Sequence, residues 1–267
     1  MTPFAAFSAF SAFTALHHAD TPLLLPNAWD HASALALAGQ GFPAIGTTSL
    51  GVAAAAGLPD GVGATREETL LLARRLGSGP FLLSVDAENG FSDDPSEVAA
   101  LARELAAAGA VGINLEDGRA DGSLSPVGLH AAKIAAVKAA VPDLFVNART
   151  DTHWLGGHEE ETAGRLASYR SAGADGVFVP GLSDPARIVS LVRTCELPLN
   201  VLHTPTGPTV AELGALGVRR VSLGSLLFRC ALGAAVTAAV DIRAGRPVRG
   251  DIWTYAAVQD LSPGPPS

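Results

Sequence analysis

Short apolar runs alternate along this chain with longer alanine- and leucine-rich stretches of helical period. Phe4 to Phe13 places a phenylalanine at every third position and reads as the apolar face of a short opening helix. Pro22–Asn27 reads as a first strand, Asp30–Gln40 as a helix and Phe42–Ser49 as a second strand. A small-residue loop is expected over Leu50–Gly63, then a helix over Thr65–Gly77 and a third strand over Phe81–Glu88. Pro95–Gly109 is helical, opened by Asp93-Asp94, and Val111–Glu116 is the fourth strand. Helix Pro126–Ala140, strand Leu144–Arg149, helix Glu159–Gly173, strand Gly176–Pro180 and helix Pro185–Thr194 follow. Strand Leu197–Leu202, a short helix over Thr209–Leu216, strand Arg220–Gly224 and a helix from Leu226 to about Ala244 complete the series.

Strand–helix units repeated in this order predict a parallel α/β protein, and eight of them within 267 residues suit a closed (β/α)8 TIM barrel. No Gly-x-Gly-x-x-Gly opens a helix after a strand, which weakens an open dinucleotide-binding sheet. Residues 1–250 are expected to form one barrel domain that includes the opening helix. Residues 251–267 form an extension whose end, Ser262-Pro-Gly-Pro-Pro-Ser267, is expected to fray.

Composition narrows the function. A 48% hydrophobic chain with 16% charged residues can bury a large core. A net charge of −8 without a basic cluster argues against nucleic acid and against an anionic membrane surface. The two cysteines, Cys195 and Cys230, lie in no metal-binding spacing and suggest a reducing, cytoplasmic compartment. The phenylalanine-rich start lacks the basic n-region of a secretory signal, and no other run has membrane-spanning length.

Barrels place their active groups at the carboxyl ends of strands. Those ends carry Asn27, Thr48-Ser49, Asp86 with Glu88, Glu116-Asp117, Arg149 with Asp151, Asn200 and Ser222–Gly224, whereas the amino ends show no such pattern. Asp86 and Glu88 share a face if strand geometry continues that far. Asp86, Glu88 and Glu116 come from adjacent strands, and Asp60 in the preceding loop can reach the same place. Like charges so close need protons or a cation, and all-oxygen ligands suit Mg²⁺, with Mn²⁺ as a substitute. Arg149 offers a planar fork for a carboxylate or phosphonate, unless Asp151 or another acid occupies it. Arg229 opens the helix after the last strand, and the backbone of Thr48-Ser49-Leu50 can hold an oxyanion. His203 stands as an isolated candidate base.

Taken together, Leu25-Pro-Asn-Ala-Trp-Asp30, Thr47-Thr-Ser-Leu50 with Gly57-Leu-Pro-Asp60, Ser84-Val-Asp-Ala-Glu-Asn-Gly90, Gly112-Ile-Asn-Leu-Glu-Asp117, Asn147-Ala-Arg-Thr-Asp151 and Pro198-Leu-Asn-Val201 resemble the isocitrate lyase/phosphoenolpyruvate mutase superfamily in order along nearly the whole chain. The resemblance implies a barrel whose C-terminal helix is swapped between subunits, giving homodimers or homotetramers. It also implies Mg²⁺ held directly by Asp86, with Glu88, Glu116 and Asp60 acting largely through water. It assigns Thr48, Ser49, Leu50, Arg149, Asn200 and Arg229 to the substrate, with Arg149 and Glu116 at the chemistry. The activity so implied is cleavage of a C–C bond in a small 2-oxo or 2-hydroxy carboxylic acid through a metal-stabilised pyruvyl enolate. Mutation or hydrolysis of a phosphonate P–C bond is the alternative, and a non-catalytic metabolite-binding barrel is a third reading.

The departures from the family pattern are local. Lyases of the superfamily carry a Lys-Lys-Cys-Gly-His lid after strand four, and the mutases a lysine and an asparagine there. Asp117-Gly-Arg-Ala-Asp-Gly-Ser-Leu-Ser125 has neither, and Pro180-Gly181 replaces the Glu or His expected after strand six. Arg119, Asp121 and Ser123 are the polar residues left to serve a shortened lid.

Overall fold

The computed structural model describes residues 8–262; the Phe4–Phe7 part of the opening repeat and the last five residues lie outside them. Nine parallel strands and their helices build the barrel. In chain order these are α1 (Ala9–Leu16), β1 (Leu23–Leu25), β2 (Asn27–Ala28), α2 (His31–Ala38), β3 (Ala44–Thr47), α3 (Ser49–Ala56), α4 (Arg66–Leu76) and β4 (Leu82–Asp86). There follow α5 (Pro95–Ala107), β5 (Ala110–Glu116), α6 (Val127–Ala140), β6 (Phe145–Arg149), α7 (Thr162–Ser171), β7 (Gly176–Val179) and α8 (Pro185–Cys195). The series ends with β8 (Leu199–Leu202), α9 (Val210–Ala215), β9 (Arg220–Ser222), α10 (Leu226–Arg243) and α11 (Tyr255–Gln259).

Eight strand positions were expected and nine strands are seen, because Pro26 divides the first one. β1 pairs with β9 and β2 with β3, so this interrupted strand closes the sheet on itself. A proline lacks the N–H that a ladder needs. Here the Leu25 carbonyl accepts from Leu223 N–H and the Pro26 carbonyl from Gly46 N–H, so bonding passes from one neighbour to the other across a residue that only accepts.

Two further expectations are corrected. Ser49–Ala56 is a helix, not a loop: its run of four alanines favours helix, and Gly57 ends it in the left-handed conformation at φ 72°. The third predicted strand stops at Asp86, and Glu88 has φ 46°, so Asp86 and Glu88 do not share a strand face. Residues 255–259 of the C-terminal extension are helical.

The main apolar core lies between the sheet and its surrounding helices, centred on residues such as Ile45, Leu83, Leu105, Ile134, Val146 and Ile188. A second cluster closes the amino end of the barrel. There Phe13 of α1, fully buried, meets Phe145 edge to face at 5.3 Å, and His17 stacks on the same ring at 4.3 Å. A Cβ on Gly112 would lie 2.8 Å from the Phe13 ring, so glycine at that point of β5 is what admits the plug. His17 accordingly stays neutral, its pKa pulled down to about 3 by burial, with Arg220 adding to the effect. With the bottom sealed, the open end is the one where the strands' carboxyl termini gather.

Candidate active site

The carboxyl ends of the strands surround a cleft of about 400 Å³. β4 brings Asp86 to its floor, β5 brings Asn114 and Glu116, β6 brings Arg149, and β9 brings Ser222. Thr48, Ser49 and Leu50 enter where β3 gives way to α3, and Asp60 lines the outer wall. At the mouth stand Val62, Trp154 and Leu155, all more than a third exposed.

Arg149 is the hub of the charged wall. Its Nε and Nη2 donate to the two carboxylate oxygens of Asp151 at 2.6 and 3.0 Å, and Nη1 lies 2.6 Å from Glu116. The guanidinium also sits 5.7 Å from the centre of the Phe178 ring. Burial works against its charge, but Glu116 and Asp151 outweigh that and hold it protonated. One edge of the predicted fork is therefore taken by Asp151, and a ligand anion meets only the outer N–H groups.

Asp151 is in turn held by Asp117, which is fully buried. Asp117 accepts from Asp151 N–H, Thr150 Oγ1, Tyr169 Oη and Arg165 Nη1 at 2.6–3.1 Å. This carboxylate has its own arginine and does not face the cleft.

The fit of a divalent cation turns on Asp86. Its Oδ2 accepts a 3.4 Å bond from Ser49 N–H, while Oδ1 is sealed from solvent with no partner among the described residues. A buried carboxylate oxygen left unpaired carries a substantial desolvation cost. Burial raises the pKa of Asp86; Arg149 and Ser49 oppose the rise and Asp60 adds to it. Glu116 is driven well up, first by burial, against the pull of Arg149 and with Asp151 and Asp86 contributing. Asp60, Asp86, Glu116 and Asp151 line the cleft against Arg149 and Arg119, and Arg119 is already bonded to Asp93 at 2.8 Å. The site is short of positive charge.

Among the described residues no three His, Cys, Asp or Glu side chains close on a common point that could hold a metal ion. The arrangement fits a cation bound directly by Asp86 alone, with water and ligand completing the shell, as Mg²⁺ commonly is. Glu88 is turned away: it accepts from Thr65 Oγ1 and from Gly63 N–H at 3.3 Å and does not line the cleft.

Other expectations resolve differently. Arg229 is exposed on α10 and does not line the cleft. Asn200 is buried beneath the cleft and donates to Ser222 Oγ at 3.0 Å. Neither cysteine reaches the site, Cys195 being buried in α8 and Cys230 exposed on α10. Of the shortened lid, Arg119 lines the cleft, whereas Asp121 bonds Ser123 at 2.6 Å.

A layer of polar residues below the strand ends was not among those expected at the site. Ser84, Asn114, Asn147 and Arg220 are all buried, and each stands two residues before the polar group at its strand's carboxyl end. The two-residue spacing from Asp86, Glu116, Arg149 and Ser222 was the available signal.

The chain is also similar to known proteins. Residues 13–243 match the family model described as phosphoenolpyruvate phosphomutase. An uncharacterized Mycobacterium tuberculosis protein is 46% identical over 246 residues, spanning 91% of this chain and 93% of its own length. The 2-methylisocitrate lyase of Bacillus subtilis is 32% identical over 196 residues, 70% of this chain and 64% of the lyase. Among solved structures, a phosphonopyruvate hydrolase complex with oxalate and Mg²⁺ superposes with a TM-score of 0.83 at 25% identity, covering 96% of this chain and 95% of the hydrolase.

Proposed function

The chain belongs to the phosphoenolpyruvate phosphomutase family, within the superfamily that includes the isocitrate lyases, and from that premise we propose that it is a Mg²⁺-dependent lyase or decarboxylase acting on a small 2-oxo or 2-hydroxy carboxylic acid. Members of the superfamily act on oxo-acid and phosphonate substrates. The observation that carries the narrower reading is Asp86, a carboxylate with one buried, unpaired oxygen at the floor of an acid-lined cleft that also holds an arginine.

Each residue has a task that its surroundings permit. Asp86 holds the cation. The first turn of α3 presents backbone N–H groups that have no helical acceptor, which suits a ligand carboxylate or oxo oxygen. Arg149, fixed by Asp151 and Glu116, offers its outer N–H groups to a second anionic group. Glu116, its pKa raised by burial against the pull of Arg149, is placed to hold or release a proton near the reacting centre. Mg²⁺, when bound, supplies the positive charge that stabilises the developing oxyanion.

Assay of product formation across a panel of 2-oxo and 2-hydroxy acids, with and without Mg²⁺, is expected to show metal-dependent release of pyruvate, oxalate or CO₂ from at least one member. Turnover confined to phosphonopyruvate, followed by phosphorus NMR, would assign P–C chemistry instead; the phosphomutase match supports keeping that arm. Oxalate binding without any turnover would leave a binding barrel.

The same reading extends to assembly. α10 contains no buried residue and exposes Leu232, Val236 and Ile242, each more than half exposed. Leu232 and Val236 stand about one helical turn apart with Val240 a turn further on, an exposed apolar stripe of a kind rarely left to solvent, and we propose that a second copy of the chain covers it. Light scattering is expected to give a mass at a multiple of 27.1 kDa; a monomer across the micromolar range would contradict this.

A further inference from the structure

Arg220 lies in β9 at the amino end of the strand and is almost wholly buried in the barrel interior. No carboxylate lies within bonding distance of it among the described residues. Its Nε donates to Ser222 Oγ at 3.0 Å and its Nη2 to Asn114 Oδ1 at 3.2 Å, so one guanidinium bridges β9 to β5 across the lumen. Both acceptors line the cleft above.

What those two bonds dictate follows from counting. A guanidinium has only donors, so the Asn114 atom facing it must be the amide oxygen. That oxygen also accepts from Asn147 Nδ2 at 2.9 Å, which occupies both its lone pairs. Asn114 Nδ2 has no partner among the described residues and is not among the groups sealed from solvent, so its N–H groups are left to the cleft. Ser222 Oγ likewise accepts twice, from Arg220 Nε and from Asn200 Nδ2, both at 3.0 Å. Its hydroxyl proton is then the one bond it has left to give. A donor-only residue below has turned two ambivalent side chains into donors above.

We propose that Arg220 is a positioning residue that fixes Asn114 and Ser222 as hydrogen-bond donors on the floor of the cleft, so that the deep end of the ligand must be an acceptor, a carboxylate or oxo oxygen, and not an amide or hydroxyl donor. This rests on the carboxylic-acid reading of the site and names the end of the substrate that the floor selects. Without Arg220 the Asn114 amide can turn over and the Ser222 hydroxyl can rotate inward, so the preference disappears even where the cleft is intact. The unpaired Oδ1 atoms of Asn147 and Asn200 and the free Nη1 of Arg220 border the same layer, which leaves room for that rearrangement.

The test compares oxalate with oxamate, which replaces an acceptor oxygen by an NH₂ donor in nearly the same shape, by calorimetry in the presence of Mg²⁺. The wild-type protein is expected to prefer oxalate by at least about tenfold, two donors being turned against the amide. Arg220→Met, close in volume, is expected to bring that ratio toward one, whereas a merely structural lesion would weaken both ligands alike. Arg220→Lys keeps the charge but not the fork; a ratio retained in it and lost in Arg220→Met would show that charge, not orientation, is responsible and would overturn the proposal. Ser222→Ala, which leaves the bridge to Asn114 in place but takes the shared acceptor from Arg220 Nε and Asn200 Nδ2 at some cost in stability, is expected to lower oxalate affinity several-fold in the folded protein and serves if neither Arg220 variant folds; unchanged oxalate affinity in it would also overturn the proposal. An unchanged ratio in folded Arg220→Met would do the same while leaving the carboxylic-acid reading intact, whereas a wild-type protein that binds no oxalate would remove both.

Discussion

Replacing Asp86 by alanine is expected to abolish the rise in melting temperature that Mg²⁺ and oxalate together give the wild-type protein, and to lower metal-dependent oxalate affinity by more than roughly 100-fold. Loss of an outer-shell partner of a metal ligand typically costs 10–100-fold, and Asp86 is argued to be the direct ligand. A ligand that binds only the folded state stabilises it in proportion to the logarithm of its saturation, so the thermal shift is a sensitive readout. The apo protein should lose nothing. Burial raises the Asp86 pKa above its unfolded value, so at neutral pH the ionised group opposes folding; that cost shrinks as pH falls through the raised folded value and is gone below the unfolded value of about 4. Apo Asp86→Ala is therefore expected to melt no lower than wild type at pH 7. Undiminished stabilisation by Mg²⁺ and oxalate in the variant would remove Asp86 from the site, and with it the proposed chemistry.

The alternation of apolar runs and helical stretches was enough to find the barrel, because a fully buried parallel strand is apolar on both faces and each helix stop is marked locally. Failures came where one residue overrules the pattern. Pro26 splits a strand in which apolar periodicity is unbroken. Ser49–Ala56 is small and glycine-containing, yet four alanines favour a helix over a loop. Glu88 follows Asp86 at strand spacing, but the chain has already left the strand, and no periodicity reports where a ladder ends.

At the site, sequence position could say that Asp86, Glu116 and Arg149 gather at one end of the barrel, since strand termini in a parallel barrel have no other place to go. It could not apportion partners. Whether Arg149 meets a ligand or Asp151 depends on side-chain geometry, and the bidentate bond to Asp151 leaves only part of the fork free. Arg220 escaped notice because a charged residue at the amino end of a short strand looks like a solvated end. Only closure of the barrel by α1 makes that position interior, with Phe13 and His17 beneath it.

The largest loss of stability is expected from Asp117→Ala. Asp117 stands beside Glu116 in sequence but serves a different purpose: it collects four donors, two from the segment after β6 and two from α7, and faces no ligand. Its removal leaves Arg165 Nη1, Tyr169 Oη, Thr150 Oγ1 and Asp151 N–H without their shared acceptor in a dry interior. Breaking a buried pair from one side typically costs about 3–5 kcal/mol, which for a chain of this size corresponds to a melting temperature lower by roughly 6–20 °C. Asp117→Asn keeps the shape but presents an N–H toward donors, and is expected to recover only part of that loss. Glu161→Gln is the matched control, because Glu161 pairs with the same Arg165 at 2.8 Å from a half-exposed position, and exposed pairs contribute less than about 1 kcal/mol. Asp117→Ala should also blunt catalysis beyond its effect on stability, since Asp117 fixes Asp151 and Asp151 fixes Arg149. Assays well below the melting temperature separate the two: a folded Asp117→Ala protein with wild-type kcat/KM would show that Arg149 is held without this chain of acids, and equal melting of Asp117→Ala and Glu161→Gln would show that burial does not set the strength of these pairs.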